Sequence, residues 1–179
     1  MKKIIYFLYT LLIFSSCIEK KTISNKKDTT DKNDTLSTTL SENESDLLKF
    51  ESTISYADFI VNIENANAKI DLNSHKLGQR FRTVIKDAYN NENALFAGHY
   101  SLATWGCGSP CQQSLLIDRR DGKIYDSPPA SGGYEFQKNS RMLLINPPDS
   151  LGYYFKDCSY CRPEVYILNE ETKKFERKI

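Results

Sequence analysis

The stretch FAGHYSLATWGCGSPC, residues 96–111, constrains the fold more than any other. It holds the chain's only Trp, one of its two His, three of its eight Gly and two of its five Cys. Its side chains alternate with a period of two. Phe96, Gly98, Tyr100, Leu102 and Thr104 point one way, and Ala97, His99, Ser101, Ala103 and Trp105 the other. The pattern predicts a strand running into a tight turn, with Gly106, Gly108 and Pro110 supplying the turn chemistry and Cys107 and Cys111 flanking it.

Hairpin signals continue downstream. Residues 114–117 resume a strand, Asp118-Arg119-Arg120-Asp121-Gly122 reads as a turn, and residues 123–125 return. Residues 134–136 and 141–145 form a second hairpin around Lys138-Asn139-Ser140, ended by Pro147-Pro148. Residues 164–168 and 175–178 form a third. Upstream, residues 56–63 predict a strand and residues 68–72 a weaker one. One helix is predicted over 74–90, where Leu77, Phe81, Val84, Ile85, Ala88 and Tyr89 make a single stripe and Asn73 or Ser74 can cap the start. Its opposite face carries Lys76, Arg80, Arg82 and Lys86 and reads as the solvated side. The expected fold is α+β: a twisted antiparallel β-meander of serial hairpins with one amphipathic helix packed on it.

The N-terminus has a different character. Lys2 and Lys3 precede an apolar run over residues 4–14, then Ser15, Ser16 and Cys17, which is the layout of a secretory signal. The run is about half the ~20 residues a membrane-spanning helix needs. Its end, Ile13-Phe14-Ser15-Ser16-Cys17, resembles the lipobox of bacterial lipoproteins. That resemblance implies cleavage before Cys17, lipid on Cys17, and, with Ile18 next, the outer membrane, the domain facing the periplasm or the surface. Residues 19–45 are Lys, Thr, Ser, Asn, Asp and Glu with few large apolar residues, too few to offset the entropy of ordering. The expected organisation is a signal peptide over 1–16, a lipid-anchored disordered tether over 17–45, and a single domain over 46–179. Lys plus Arg number 24 and Asp plus Glu 23, so no basic excess points to nucleic acid.

Four cysteines remain after the lipid site, as two close pairs: Cys107 with Cys111, and Cys158 with Cys161. An even count in an exported chain predicts disulfides. Three connectivities are open: two local staples, or either of two crossed pairings that tie the central turn to the C-terminal hairpin. The same pairs could instead give four thiolates to a structural zinc, a minority alternative in which Cys107, Cys111, Cys158 and Cys161 are the metal ligands. No other cofactor is expected. The sharpest catalytic alternative is an envelope hydrolase or thiol enzyme pairing Cys107 or Cys111 with His99 as base. No nucleophile motif surrounds either cysteine, so no catalytic residue is assigned. His75 reads as an exposed first-turn residue, and Asp118 and Asp121 as turn chemistry.

Aromatic residues crowd the second half, and the run Tyr153-Tyr154-Phe155 cannot bury every ring from one strand. The candidate binding residues are therefore His99, Trp105, Tyr153, Tyr154 and Tyr160. The Gly98-His99-Tyr100 and Trp105-Gly106-Cys107-Gly108 segments with Cys111 resemble a motif of uncharacterised bacterial envelope proteins, which implies no activity. The expected function is a lipid-anchored, cysteine-stapled binding module for an envelope protein or glycan, in an inhibitor, immunity or accessory role.

Overall fold

A computed structural model describes residues 46–179. The signal-like segment, Cys17 and the polar tether lie outside the described residues. The domain is α+β, with hairpins curled into two four-stranded antiparallel sheets. In chain order the strands are β1 (Leu47–Lys49), β2 (Leu95–Phe96), β3 (Tyr100–Gly108), β4 (Cys111–Asp118) and β5 (Ile124–Asp126). They continue with β6 (Tyr134–Phe136), β7 (Met142–Ile145), β8 (Tyr153–Phe155), β9 (Glu164–Asn169) and β10 (Lys174–Arg177). One sheet has the order β2-β3-β4-β5, the other β10-β9-β7-β6, and β1 pairs with β8 in a separate ribbon.

The period-two pattern sets the layers. Tyr100, Leu102 and Leu116 of the first sheet meet Leu143, Ile145 and Leu168 of the second in a shared core. The alternate residues Ala103, Leu115, Ile117 and Ile124 face the helix α1 (Arg82–Tyr89), which buries Ile85 and Tyr89 at the i, i+4 spacing. On the far face of the second sheet, Met142, Leu144, Val165 and Ile167 are covered by Phe50, Ile54, Tyr56 and Phe59.

The helix is shorter than the stripe predicts. Residues 74–81 form turns. The His75 side chain accepts from the Leu77 amide at 3.1 Å, Gly78 donates back to the His75 carbonyl, and a Cβ on Gly78 would lie 2.1 Å from the Leu72 carbonyl oxygen. Local side-chain acceptors and a glycine pressed on neighbouring backbone divert the first turns from helix. His75 is accordingly not an exposed first-turn residue: its side chain is 10% exposed and sits 3.0 Å from Asp126.

Neither upstream strand forms. Residues 56–59 are a 3-10 turn, and Ile60 makes only an isolated bridge to Ser140. Residues 61–71 run as a strap whose amides bond to loops rather than to a strand: Val61 to Asn139, Glu64 to Gly98, Ala68 to Arg119 and Asp71 to Gly122. The strand predicted from residue 96 is broken by a turn at Ala97 and Gly98, both with positive φ, so β2 folds back on β3. The serial antiparallel hairpins form as the pattern predicts, and β8 leaves the second sheet to pair with β1.

The cysteines take the local connectivity: Cys107 bonds Cys111 and Cys158 bonds Cys161. Each closes a ring of four or five residues, for which the chain-entropy model gives about 2 kcal/mol. Replacing Cys158 and Cys161 together by Ser should therefore lower the denaturant midpoint by the equivalent of about 2 kcal/mol and leave the far-ultraviolet dichroism unchanged. Loss of the folded state would show that this bridge holds the fold rather than a loop.

Candidate functional site

Two places in the fold concentrate polar or aromatic chemistry. The first is buried. The turn at Gly98 drops His99 and Tyr100 into the interior, at 2% and 0% exposure, with their rings 4.1 Å apart. Asp118, at the end of β4, is 2% exposed. Its Oδ1 accepts the Arg120 amide at 2.9 Å and its Oδ2 accepts Lys173 Nζ at 3.2 Å, with the Arg120 guanidinium 3.4 Å away. Lys173 also donates to the Tyr100 hydroxyl at 2.6 Å. Glu64 and Glu170 reach the outer side of Arg120 at 4.0 and 3.9 Å. His99 Nε2 lies 3.8 Å from Asp118 Oδ1 without a hydrogen bond.

Burial first, and then the Arg120 guanidinium, hold the His99 imidazole below its ordinary pKa. Burial alone would raise the Asp118 carboxyl; hydrogen bonds from Arg120 and Lys173 outweigh it and hold the group low. Burial and the Asp118 charge push the Tyr100 phenol up. The cluster is thus a neutral imidazole packed against a carboxylate that two cations satisfy. It joins the start of β3, the end of β4 and the β9–β10 turn, with His99 2% exposed.

The catalytic pairing of His99 with Cys107 or Cys111 does not assemble. His99 precedes β3 and Cys107 sits at its other end, so at ~3.3 Å per residue they are about 26 Å apart. Both cysteines are bonded to each other. The four-thiolate zinc alternative is likewise replaced by the two disulfides, and among the described residues no group of three or more His, Cys, Asp or Glu could hold a metal ion.

The second place is the surface framed by the two stapled loops. Pro110 and Cys111, at the β3–β4 tip, and Ser159 and Tyr160, in the Cys158–Cys161 loop, line one cavity of about 440 Å³. Ile145 and Ala130 form its buried base, and Tyr160 stands 55% exposed at its rim. Asn146 holds the surrounding loops together. It adopts φ 52, a region Asn tolerates better than most residues. Its Oδ1 accepts the Ser131 and Gly132 amides, both at 2.7 Å, and its Nδ2 donates to the Arg162 carbonyl at 3.1 Å. Glu164 is satisfied within the rim, accepting from the Tyr166 hydroxyl at 2.9 Å and pairing with Arg177 at 3.1 Å.

The predicted binding residues scatter. Tyr160 lines this groove. Tyr153 and Tyr154 lie on β8, lining an adjacent, more apolar cavity of about 360 Å³ that also touches Asn146. Trp105 is elsewhere, stacked on Phe81 at 4.2 Å, and His99 is buried in the charge cluster and reaches no surface. Asn146 and Lys173 escaped sequence reasoning, and Asp118, read as turn chemistry, is also a buried carboxylate. Asn146 carried a signal, being a residue tolerant of positive φ between a strand and two prolines. Lys173 carried none, because its partner is 55 residues away.

No family model, curated protein or solved structure matches this chain.

Proposed function

We propose that the chain is a lipid-anchored envelope protein whose disulfide-stapled domain binds another envelope protein in the groove between its two stapled loops. The observation that carries this reading is where the bridges sit. Neither ties the core together; both close loops that line the same groove. A staple in a surface loop lowers the entropy lost when that loop is fixed against a partner. Tyr160 supplies an exposed aromatic anchor at the rim.

A protein partner is favoured over a glycan because the groove's planar polar groups are already used. The Asn146 amide and the Glu164 carboxylate bond within the fold, which leaves few groups to meet a row of sugar hydroxyls. The lipobox-like segment ending at Cys17 supports the anchor, and the small net charge of +1 fits a partner met by shape and aromatic contact rather than by long-range attraction.

The test is site-specific photocrosslinking in cells with a benzoylphenylalanine at position 160 or 131, both at the groove, and at the exposed strap position 69. A discrete adduct with one envelope protein is expected from 160 and 131 and not from 69. Replacing Cys158 and Cys161 by Ser should weaken it about three- to tenfold. Adducts of equal yield from all three positions, or none from the groove, would overturn the reading.

A further inference from the structure

The ribbon of β1 and β8 is the most apolar exposed part of the described chain. Leu151 is 75% exposed, Phe155 63%, Leu48 40% and Tyr153 37%. Water does not favour such an arrangement, since a two-stranded ribbon has little buried area to hold it. Phe155 and Tyr153 alternate onto one face of β8, where Lys49 is the cross-strand partner of Tyr153. Leu151 projects from the turn before β8, which is tightened by Asp149 Oδ1 accepting the Leu151 and Tyr153 amides at 2.9 and 2.8 Å. A rigid turn therefore presents a leucine at its tip, with a tyrosine and a phenylalanine beside it.

The ribbon's place in the chain identifies what covers it. β1 is the first strand of the domain, and Cys17 lies 29 positions before Asp46. A segment of that length reaches at most about 100 Å. It keeps the domain near the bilayer at about millimolar effective concentration, where a patch too weak to bind on its own is occupied. Tyrosine and phenylalanine suit the boundary between headgroups and acyl chains, and Lys49 can extend its ammonium back toward the headgroups. The surrounding charges, Lys49, Asp149, Lys156 and Asp157, are mixed in sign, which suits zwitterionic rather than anionic lipid.

We infer that the β1–β8 ribbon is a membrane-contacting face, seating Leu151, Tyr153 and Phe155 in the interfacial zone of the bilayer that holds the anchor. The inference rests on the lipid anchor proposed above. It orients the domain so that the face where the chain enters the fold lies on the lipid, with the stapled groove along its margin.

The test uses the full lipidated chain in phosphatidylcholine–phosphatidylethanolamine vesicles containing a lipid brominated near the headgroup. Leu151→Trp and Phe155→Trp report on the ribbon, and Ile60→Trp, at a site 64% exposed outside it, is the control. Vesicle flotation and the fatty-acid mass on Cys17 report the anchor separately. The expected result is flotation of all three variants, with quenching of the added Trp at least twofold greater at 151 and 155 than at 60, unchanged by raised salt. Flotation with equal or negligible quenching at all three positions overturns the membrane face and leaves the anchor standing. An unacylated Cys17 and no flotation overturn the anchor, and the inference with it.

Discussion

Asp118→Asn is expected to lower the unfolding free energy by about 3 kcal/mol or more, because removing one partner of a buried ion pair leaves the other charge uncompensated. Asparagine keeps the shape and the acceptor for the Arg120 amide. It removes the charge that holds Lys173, whose side chain is 19% exposed, and that faces the Arg120 guanidinium. A shifted urea midpoint at unchanged slope would register the loss. Glu170→Gln, at the outer side of Arg120, should cost well under ~1 kcal/mol, as exposed pairs do. Equal effects of the two substitutions would show that the cluster carries no special share of stability.

The same cluster sets the direction of the pH response. The His99 pKa is depressed in the folded state, so the unfolded chain binds more protons below about pH 6.5 and stability falls as the pH drops through that value. The Asp118 pKa is also depressed, so its contribution is complete above about pH 4 and is lost as the pH falls through its folded value. The groups facing these two are Glu64, Tyr100, Arg120, Glu170 and Lys173. His99→Gln should flatten the upper step and leave the lower one; a variant that keeps both steps would assign the upper one elsewhere.

Gly98→Ala is the second large effect. A Cβ there would lie 2.3 Å from the Asn62 carbonyl oxygen and 3.3 Å from Val61 Cγ2, at φ +83. The Gly98 amide donates to Lys138 and its carbonyl accepts from Glu64, so the turn is held on both sides and cannot back away. A strained backbone costs about 1–3 kcal/mol before any clash, so the total should exceed about 3 kcal/mol. Gly106→Ala, where nothing lies within 4 Å, should be close to neutral. Comparable losses from both would mean that the strap does not press on the turn. Gly98, His99 and Tyr100 thus serve the fold together. Gly98 admits the strap, and His99 and Tyr100 pack beside the buried carboxylate.

The hairpins were legible because a half-buried strand writes its two faces as alternation and its turns as Gly, Asp and Asn. Tyr100, Leu102, Ala103 and Trp105 sort onto the faces their spacing predicts. The strap was not legible. Residues such as Val61 and Ile70 have the apolar pattern of a strand, yet their neighbours bond to turns at 98, 119 and 122, and no local signal distinguishes a strand partner from a loop partner. The helix start was misplaced because the stripe through Leu77 and Phe81 persists while the His75 side chain and Gly78 break the backbone pattern. The charge cluster was hidden inside Asp118-Arg119-Arg120-Asp121-Gly122, whose composition turn chemistry already explains. Of the groove, the sequence showed the cysteine pairs and Tyr160; their convergence depends on Asn146 joining three segments.

Two local staples hold the loops that frame one groove, and a disulfide map of the native protein is the direct test. Non-reducing proteolysis and mass spectrometry of the native chain should give one peptide set linked through Cys107 and Cys111 and a separate set linked through Cys158 and Cys161, with no alkylatable thiol before reduction and four from these positions after it. A peptide joining either member of the first pair to either member of the second, or free thiols in the native protein, would show that the two loops are not stapled locally.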